Sequence, residues 1–460
     1  MNIQNTPENR IEQIKEEQQQ YFDSGATLSY RFRRQQLKRL HTALKAWEPK
    51  ICEALWTDLH KSNEEAILTE LSIVAGEIKN HISHLREWMR PKRACTPLKM
   101  MPSKSRVISE PLGCALIISP WNYPVQLLLN PLVGAISAGC TAILKPSPYV
   151  PNISAVLEEM ISKTFDSNYI TVVQGNRDTN KALLALRHDI IFFTGSPTLG
   201  KSVMMAAAEH LTPVVLELGG KSPCIVDAEA NIQIAARRIA WGKTLNAGQT
   251  CIAPDYLLIH SSCKKEFINS FAKELKKLHG EDIKKSRHYV RLVSDKAFER
   301  VSSYLKEGEI AFGGTTDAKE RYIEPTLLDN VNPEAEVMQE EIFGPVLPMI
   351  TFDKLDEAIS FIRKREKPLA LYYFGKSSIG KELLHRTSSG GACINDTIMH
   401  IANENIPFGG VGNSGMGQYH GKESYKAFSH YRSVVETPTW LDLPFRYMPY
   451  RMFELVKKLL

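Results

Sequence analysis

From Gly113 onward the chain alternates short apolar runs with longer segments of helical character, and no other feature limits its possible folds as strongly. Residues 114–118 and 141–144 read as strands, 124–137 and 153–164 as helices, and 169–173, 181–186 and 190–194 continue the alternation. Runs this short and this uniformly apolar suit strands covered on both faces, which is what helices packed on either side of a parallel sheet provide. A second alternating series begins near Pro213 and ends near Asn395, so we expect two α/β units meeting at about 211–216. The region before them, residues 8–90, is largely free of Gly and Pro and carries Leu37, Leu40, Leu44 and Trp47 at helical spacing. Residues 91–111 hold four prolines and several basic residues in an extended stretch, which predicts a strand pair or arm outside the main body. The last residues, 450–460, spell a short amphipathic helix whose apolar side is Met452, Phe453, Leu455, Val456, Leu459 and Leu460.

A chain of 460 residues exceeds one hydrophobic core, in agreement with two units. The net charge of +6 favours an anionic cofactor or substrate but is spread thinly. Lys284, Lys285 and Arg287 make a short basic run that reads as a solvated surface, so no nucleic-acid partner is expected. The eight cysteines are dispersed, with no CxxC pair and no zinc-ligand spacing, which predicts a reducing, cytoplasmic setting and no metal site. The N-terminal ten residues are polar, and no run reaches the length of a membrane span.

Two segments imitate nucleotide-binding loops. Gly195-Ser-Pro-Thr-Leu-Gly-Lys-Ser202 follows an apolar strand and fits GxxxxGK[ST], with Asp227 the matching candidate for a magnesium-binding acid. On these residues alone a P-loop NTPase using 195–202 stands as a rival reading. Gly410-Val-Gly-Asn-Ser-Gly415 fits GxGxxG, but no strand leads into it and no βαβ unit follows, so it reads as a glycine-rich loop near a site. Cys251 lies among small and polar residues in Asn246-Ala-Gly-Gln-Thr-Cys-Ile-Ala-Pro254, a setting for an exposed nucleophile, whereas the other seven cysteines read as small hydrophobes. Glu217 sits among apolar neighbours in Val214-Val-Leu-Glu-Leu-Gly-Gly-Lys221, where burial would raise its pKa toward that of a general base; a strand-end carboxylate facing water is the plainer alternative. Asn122, in Ser119-Pro-Trp-Asn-Tyr-Pro124, could donate to an oxyanion or merely make a turn. Lys145 ends a strand and could meet a ribose or phosphate, or snorkel at the surface.

Together these segments resemble the aldehyde dehydrogenase family. The resemblance rests on PWNYP at 120–124, ILKPS at 143–147, FFTGS at 192–196, LELGGKSP at 216–223, AGQTC at 247–251, QEEIFGPV at 339–346 and PFGGVGNSGMG at 407–417, in the family's order. AGQTCIAPDY and SGMGQYHGKESYKAFSH look most like the short dimeric class that includes fatty aldehyde dehydrogenase. The resemblance implies a Rossmann-like cofactor domain (1–90 and 113–212), an α/β catalytic domain (213–424), a small strand arm for dimerisation (91–112 and 425–445) and a C-terminal tail (446–460). It implies NAD- or NADP-dependent oxidation of an aldehyde, medium- or long-chain aliphatic or aromatic, through a thiohemiacetal and thioester on Cys251. In that reading Glu217 is the general base, and Asn122 with the Cys251 N–H forms the oxyanion hole. Trp121, Lys145, Gly195, Ser196, Gly200, Glu341 and Phe343 bind the cofactor, and Tyr123, Trp241, Leu245 and Thr250 line the substrate pocket. The strand–Gly–Ser–helix segment then receives a pyrophosphate, and its P-loop spelling is coincidental. A non-catalytic structural member is the weaker alternative. A homodimer is expected, with no transmembrane span and peripheral membrane contact by the tail. One departure stands out: where NAD-preferring members often carry an acid for the ribose 2′-hydroxyl, this chain has Pro148, so use of both cofactors is expected.

Overall fold

The computed structural model describes residues 4–442, 446–450 and 453–457. Helices Glu8–Asp23, Tyr30–Leu59 and Ser72–Trp88 fill most of the N-terminal region. Ser29 caps the second by accepting from the Phe32 N–H, and His60, in a left-handed conformation (φ 56°), ends it. Leu37, Leu40 and Leu44 are buried as their spacing predicts.

Among the described residues two large sheets carry the body. The first runs in the order Gly415–Met416, Val214–Leu218, Ile190–Gly195, Cys114–Ile118, Thr141–Lys145, Ile170–Val172. All its neighbours pair in parallel except Gly415–Met416, which is antiparallel to Val214–Leu218. Cys114–Ile118 and Thr141–Lys145 are buried at every position, as two-sided cover requires. Helix Gln126–Ala138 is buried along its whole length beside this sheet and the N-terminal helices, which is why it carries no charged residue. The second sheet has the order Glu309–Phe312, Thr326–Asp329, Val346–Phe352, Tyr256–His260, Pro223–Val226, Ala370–Phe374, Gly391–Ile394, parallel but for its first member.

The strand 214–218, expected to open the second unit, pairs instead with Ile190–Gly195. The first sheet therefore continues past 212, and the chain passes to the second through Gly219–Ser222. Sequence alternation marks where strands lie but not which sheet they join. Lys92–Ala94, Lys104–Pro111 and Ser429–Glu436 form a separate antiparallel sheet, largely open to solvent. In the tail, Phe453–Lys457 is helical and Phe453 is exposed. Met452, Leu459, Leu460 and the side chains of Leu455 and Val456 lie outside the described residues.

Candidate active site

A cleft of about 1200 Å³ opens between the two sheets. Its wall includes Trp121, Asn122, Tyr123, Gly195, Ser196, Glu217, Trp241, Leu245, Thr250, Cys251, Glu341 and Phe343, which the sequence had scattered over more than two hundred positions. Lys145 and Gly200 are not in that wall. Gly200 lies in helix Pro197–Glu209, where a Cβ would fall 2.6 Å from the Leu218 Cδ2, so it sets how closely this helix approaches its sheet. Lys145 is fully buried, not snorkelling; its Nζ donates to the Pro146 carbonyl at 2.8 Å, and burial lowers its pKa to about 8.

The Cys251 loop begins where helix Ile232–Thr244 stops. Asn246, Ala247 and Gly248 all take left-handed backbone (φ 52°, 52° and 74°) and reverse the chain. A Cβ at Gly248 would fall 2.3 Å from the Gly344 carbonyl oxygen, which fixes glycine there. Gln249, fully buried, anchors the reversal: its Nε2 donates to the carbonyls of Asn246 (3.0 Å) and Arg291 (3.1 Å), and its Oε1 accepts from the Val293 N–H (3.0 Å). Cys251 is half-buried, more enclosed than the exposed loop its composition suggested. Burial, then the carboxylates of Glu341 and Glu217, push its thiol well up, while the N–H groups of Cys251 and Ile252 act in the opposite sense.

Glu217, on the strand Val214–Leu218, is buried, and both carboxyl oxygens lack a hydrogen-bond partner among the described residues. Desolvation raises its pKa well above the carboxylate range, so it does not face bulk water as the plainer reading had it. Glu341 packs on the turn at Gly219, where a Cβ would fall 1.9 Å from Oε2, and burial pushes its pKa up to about 8; its Oε1 has no partner among the described residues. Phe343 meets the Trp121 ring edge-on at 5.3 Å. On the other wall the Asn122 Nδ2 donates to the Gln249 carbonyl (3.0 Å), leaving its second hydrogen uncommitted among these contacts, and the Tyr123 hydroxyl bonds the Thr250 hydroxyl (2.7 Å).

The sequence did not single out four polar residues beside the site: Gln249, Lys61, Glu65 and Glu70. Glu65 accepts from the Asn246 N–H at 2.8 Å and has its pKa pushed up to about 7 by burial. Lys61 and Glu70 form an ion pair of 2.7 Å with neither side chain exposed. The lettering of Lys61, Glu65 and Glu70, within a helical region, is that of an ordinary solvated face, and Gln249 stands inside the AGQTC stretch without being singled out there; tertiary contact reveals what each holds.

The P-loop reading fails on geometry. Pro197 is the first residue of the helix after Ser196, so no loop is left to wrap a triphosphate, and Lys201 is exposed on that helix. Asp227 follows a strand of the other sheet and accepts from the Tyr373 hydroxyl at 2.7 Å. The GxGxxG spelling is a loop whose end, Gly415, pairs with Glu217 across two strands.

What the wall does fit is a nucleotide joined to a flat ring. Ser196 and Gly195 stand at the N-terminus of helix Pro197–Glu209, which favours an anion. The unpartnered Glu341 Oε1 offers an acceptor for a sugar hydroxyl, and the Trp121–Phe343 pair an apolar seat for a ring.

The family model described as Aldehyde dehydrogenase family matches residues 1–434. The 4,4'-diaponeurosporen-aldehyde dehydrogenase of Staphylococcus aureus is 48% identical over 446 residues, covering 96% of this chain and 97% of that protein. A dimeric NADP-preferring aldehyde dehydrogenase of Canis lupus familiaris is 44% identical over 443 residues, covering 96% and 98%. The solved substrate-bound state of Staphylococcus aureus AldH superposes with a TM-score of 0.96 at 47% identity, covering 98% of this chain and 99% of that one.

Proposed function

Because the chain belongs to the aldehyde dehydrogenase family and so oxidises an aldehyde with NAD or NADP, we propose that Cys251 is its nucleophile, Glu217 its general base and Asn122, with the Cys251 N–H, its oxyanion hole. The observation that carries this reading is a half-buried thiol lining one cleft together with a buried carboxylate that has no hydrogen-bond partner among the described residues.

The Cys251 Sγ loses its proton and attacks the aldehyde carbon, giving a thiohemiacetal oxyanion. The uncommitted N–H of Asn122 and the Cys251 N–H stabilise that charge, each such donor contributing about 3–4 kcal/mol. The carbon bonded to Sγ then gives up a hydride, for which a nicotinamide held in this cleft would supply the acceptor, and a thioester is left. Glu217, a stronger base than an exposed carboxylate because burial raises its pKa, then takes a proton from water as the water attacks the thioester; the carboxylate product departs and the thiol is restored. Gly195 and Ser196 would hold the pyrophosphate, Glu341 the nicotinamide ribose, and Phe343 and Trp121 the ring; Lys145, enclosed behind the wall, would reach an adenosine ribose by giving up its bond to the Pro146 carbonyl. Gly200 supports this site through helix–strand packing.

The substrate is an apolar aldehyde, medium- or long-chain aliphatic or aromatic. Leu68, Ile73, Trp241, Leu245, Met399 and Ile401 give the cleft an apolar flank, and one relative is named for 4,4'-diaponeurosporen-aldehyde. Reduced-nicotinamide absorbance with an aldehyde panel tests this. At about 0.8 kcal/mol per buried methylene, the specificity constant should rise at least tenfold from acetaldehyde to octanal; a flat series would refute the substrate class, and no turnover of any aldehyde would refute the site.

The enzyme works as a cytoplasmic homodimer. Relatives carry "dimeric" in their names, and the open sheet 92–94, 104–111 and 429–436 offers the pairing surface. Dispersed free cysteines accord with a reducing compartment. Among the described residues no helix is long and apolar enough to cross a membrane. Exposed Tyr447, Met448, Tyr450 and Phe453 suit peripheral contact of the tail with a membrane surface.

A further inference from the structure

After helix Tyr30–Leu59 ends, the chain passes back under the cleft, and Lys61 and Glu70 meet there with no exposed surface. Lys61 Nζ donates to Glu70 Oε1 at 2.7 Å and to the Asn122 carbonyl at 3.0 Å, and it lies 4.3 Å from the centre of the Tyr123 ring. Glu70 Oε2 accepts from the N–H groups of Val125 (2.7 Å) and Gln126 (3.3 Å), at the start of helix Gln126–Ala138. The two side chains thus grip the turn carrying Asn122 at its carbonyl and at the amides that follow. Asn246, from the Cys251 loop, completes the cage by donating its Nδ2 to the same Asn122 carbonyl at 3.0 Å.

A buried ion pair is a poor source of stability, since an apolar pair of similar volume often serves as well. What an apolar pair could not supply here is directed bonds to one turn. The Asn122 side chain has one N–H committed to Gln249; where its other N–H points depends on the backbone that Lys61 and Glu70 hold.

We propose that Lys61 and Glu70 are a positioning pair that aims the Asn122 amide at the oxyanion, coupling the N-terminal helices to the chemical step. The proposal rests on the assignment of Asn122 above, and the test separates the two. Hydrolysis of 4-nitrophenyl acetate without cofactor needs the thiol, the oxyanion donors and the base: the acetyl group passes to Sγ, 4-nitrophenolate leaves, and water cleaves the thioester. Alkylation of Cys251 by iodoacetamide needs the thiol alone, because displacement of iodide develops no carbonyl oxyanion. The variants are Lys61→Met, Glu70→Gln, the double variant K61M/E70Q and Asn122→Ala. The double variant leaves no unpaired buried charge and is therefore the decisive one; Glu70→Gln alone keeps an acceptor for the Val125 amide but strands the buried Lys61 ammonium, and Lys61→Met alone strands the buried Glu70 carboxylate.

Ester turnover should fall roughly 10- to 100-fold in Glu70→Gln and K61M/E70Q, the scale of a small misplacement of a catalytic group. The Cys251 alkylation rate and the cofactor KM should stay within about threefold of wild type, well inside that loss. Full ester turnover in the pair variants beside a crippled Asn122→Ala would overturn the positioning role and spare the site assignment. Equal losses of ester turnover and alkylation would also overturn it, since that marks general collapse of the cleft. Full ester turnover in Asn122→Ala would overturn the assignment of Asn122 and the proposal with it.

Discussion

Replacing Lys145 by methionine should make the protein more stable while weakening its hold on cofactor. The lysine is fully buried, and among the described residues its Nζ makes one hydrogen bond, to the Pro146 carbonyl. A fall in its pKa from 10.5 to about 8 corresponds to about 3 kcal/mol against the charged form. Losing the hydrogen bond returns about 1 kcal/mol, so the net gain near neutral pH is roughly 2 kcal/mol. The sign follows from proton binding. Between pH 8 and 10.5 the unfolded chain holds the Lys145 proton and the folded protein does not, so wild-type stability rises with pH across that window. The full penalty is present below pH 8 and fades toward 10.5; the advantage of Lys145→Met should shrink by about 2 kcal/mol between pH 7 and 9.5. Urea unfolding of both proteins without cofactor at the two pH values measures this, and cofactor KM should rise in the variant. A variant less stable than wild type at pH 7, or an advantage independent of pH, would refute the reasoning.

Cys251→Ala should abolish oxidation, while Cys224→Ala and Cys263→Ala retain it, because those two cysteines are buried in the second unit; peptide mapping should tie inactivation to Cys251, with exposed Cys95 reacting harmlessly. Glu217→Gln should keep the fold and stall at the thioester, showing a burst of reduced cofactor and then turnover about 10²- to 10⁴-fold slower. A slow first turnover without a burst would move Glu217 to thiol activation. In the wild type, turnover limited by deacylation should rise with pH as the buried Glu217 carboxyl, raised above its ordinary range, loses its proton. NADP should be used at a rate comparable to NAD, and Pro148→Glu, at an exposed position, should shift preference toward NAD by repelling a 2′-phosphate. Wild-type rejection of NADP by several orders of magnitude in catalytic efficiency would sink that account.

The alternation of apolar runs was readable in the sequence because covered strands must be apolar throughout, and Cys114–Ile118 and Thr141–Lys145 match it closely. The affiliation of Val214–Leu218 was not, since a strand's neighbours are set by the path of chain far away. The motif residues were legible because each sits in a distinctive setting: a left-handed reversal before Cys251, a glycine turn under Glu341. Lys61, Glu65 and Glu70 carry no such mark. Their side chains are ordinary for a surface, and the groups they bond across the site are 55 to 181 positions removed. Lys145 was legible as a strand end but not as a buried ammonium.

The strand bearing Glu217 has consequences for how this chain must be made. Among the described residues its outer edge is covered by Gly415–Met416 alone, so during synthesis it waits for about 200 further residues, roughly 10–40 s at ordinary ribosomal rates. For that interval the nascent protein exposes an unpaired edge of a largely folded sheet, the kind of surface on which other chains template. Truncation anywhere before Gly415 makes that interval permanent, and the loss would register first as aggregation rather than as a missing catalytic group.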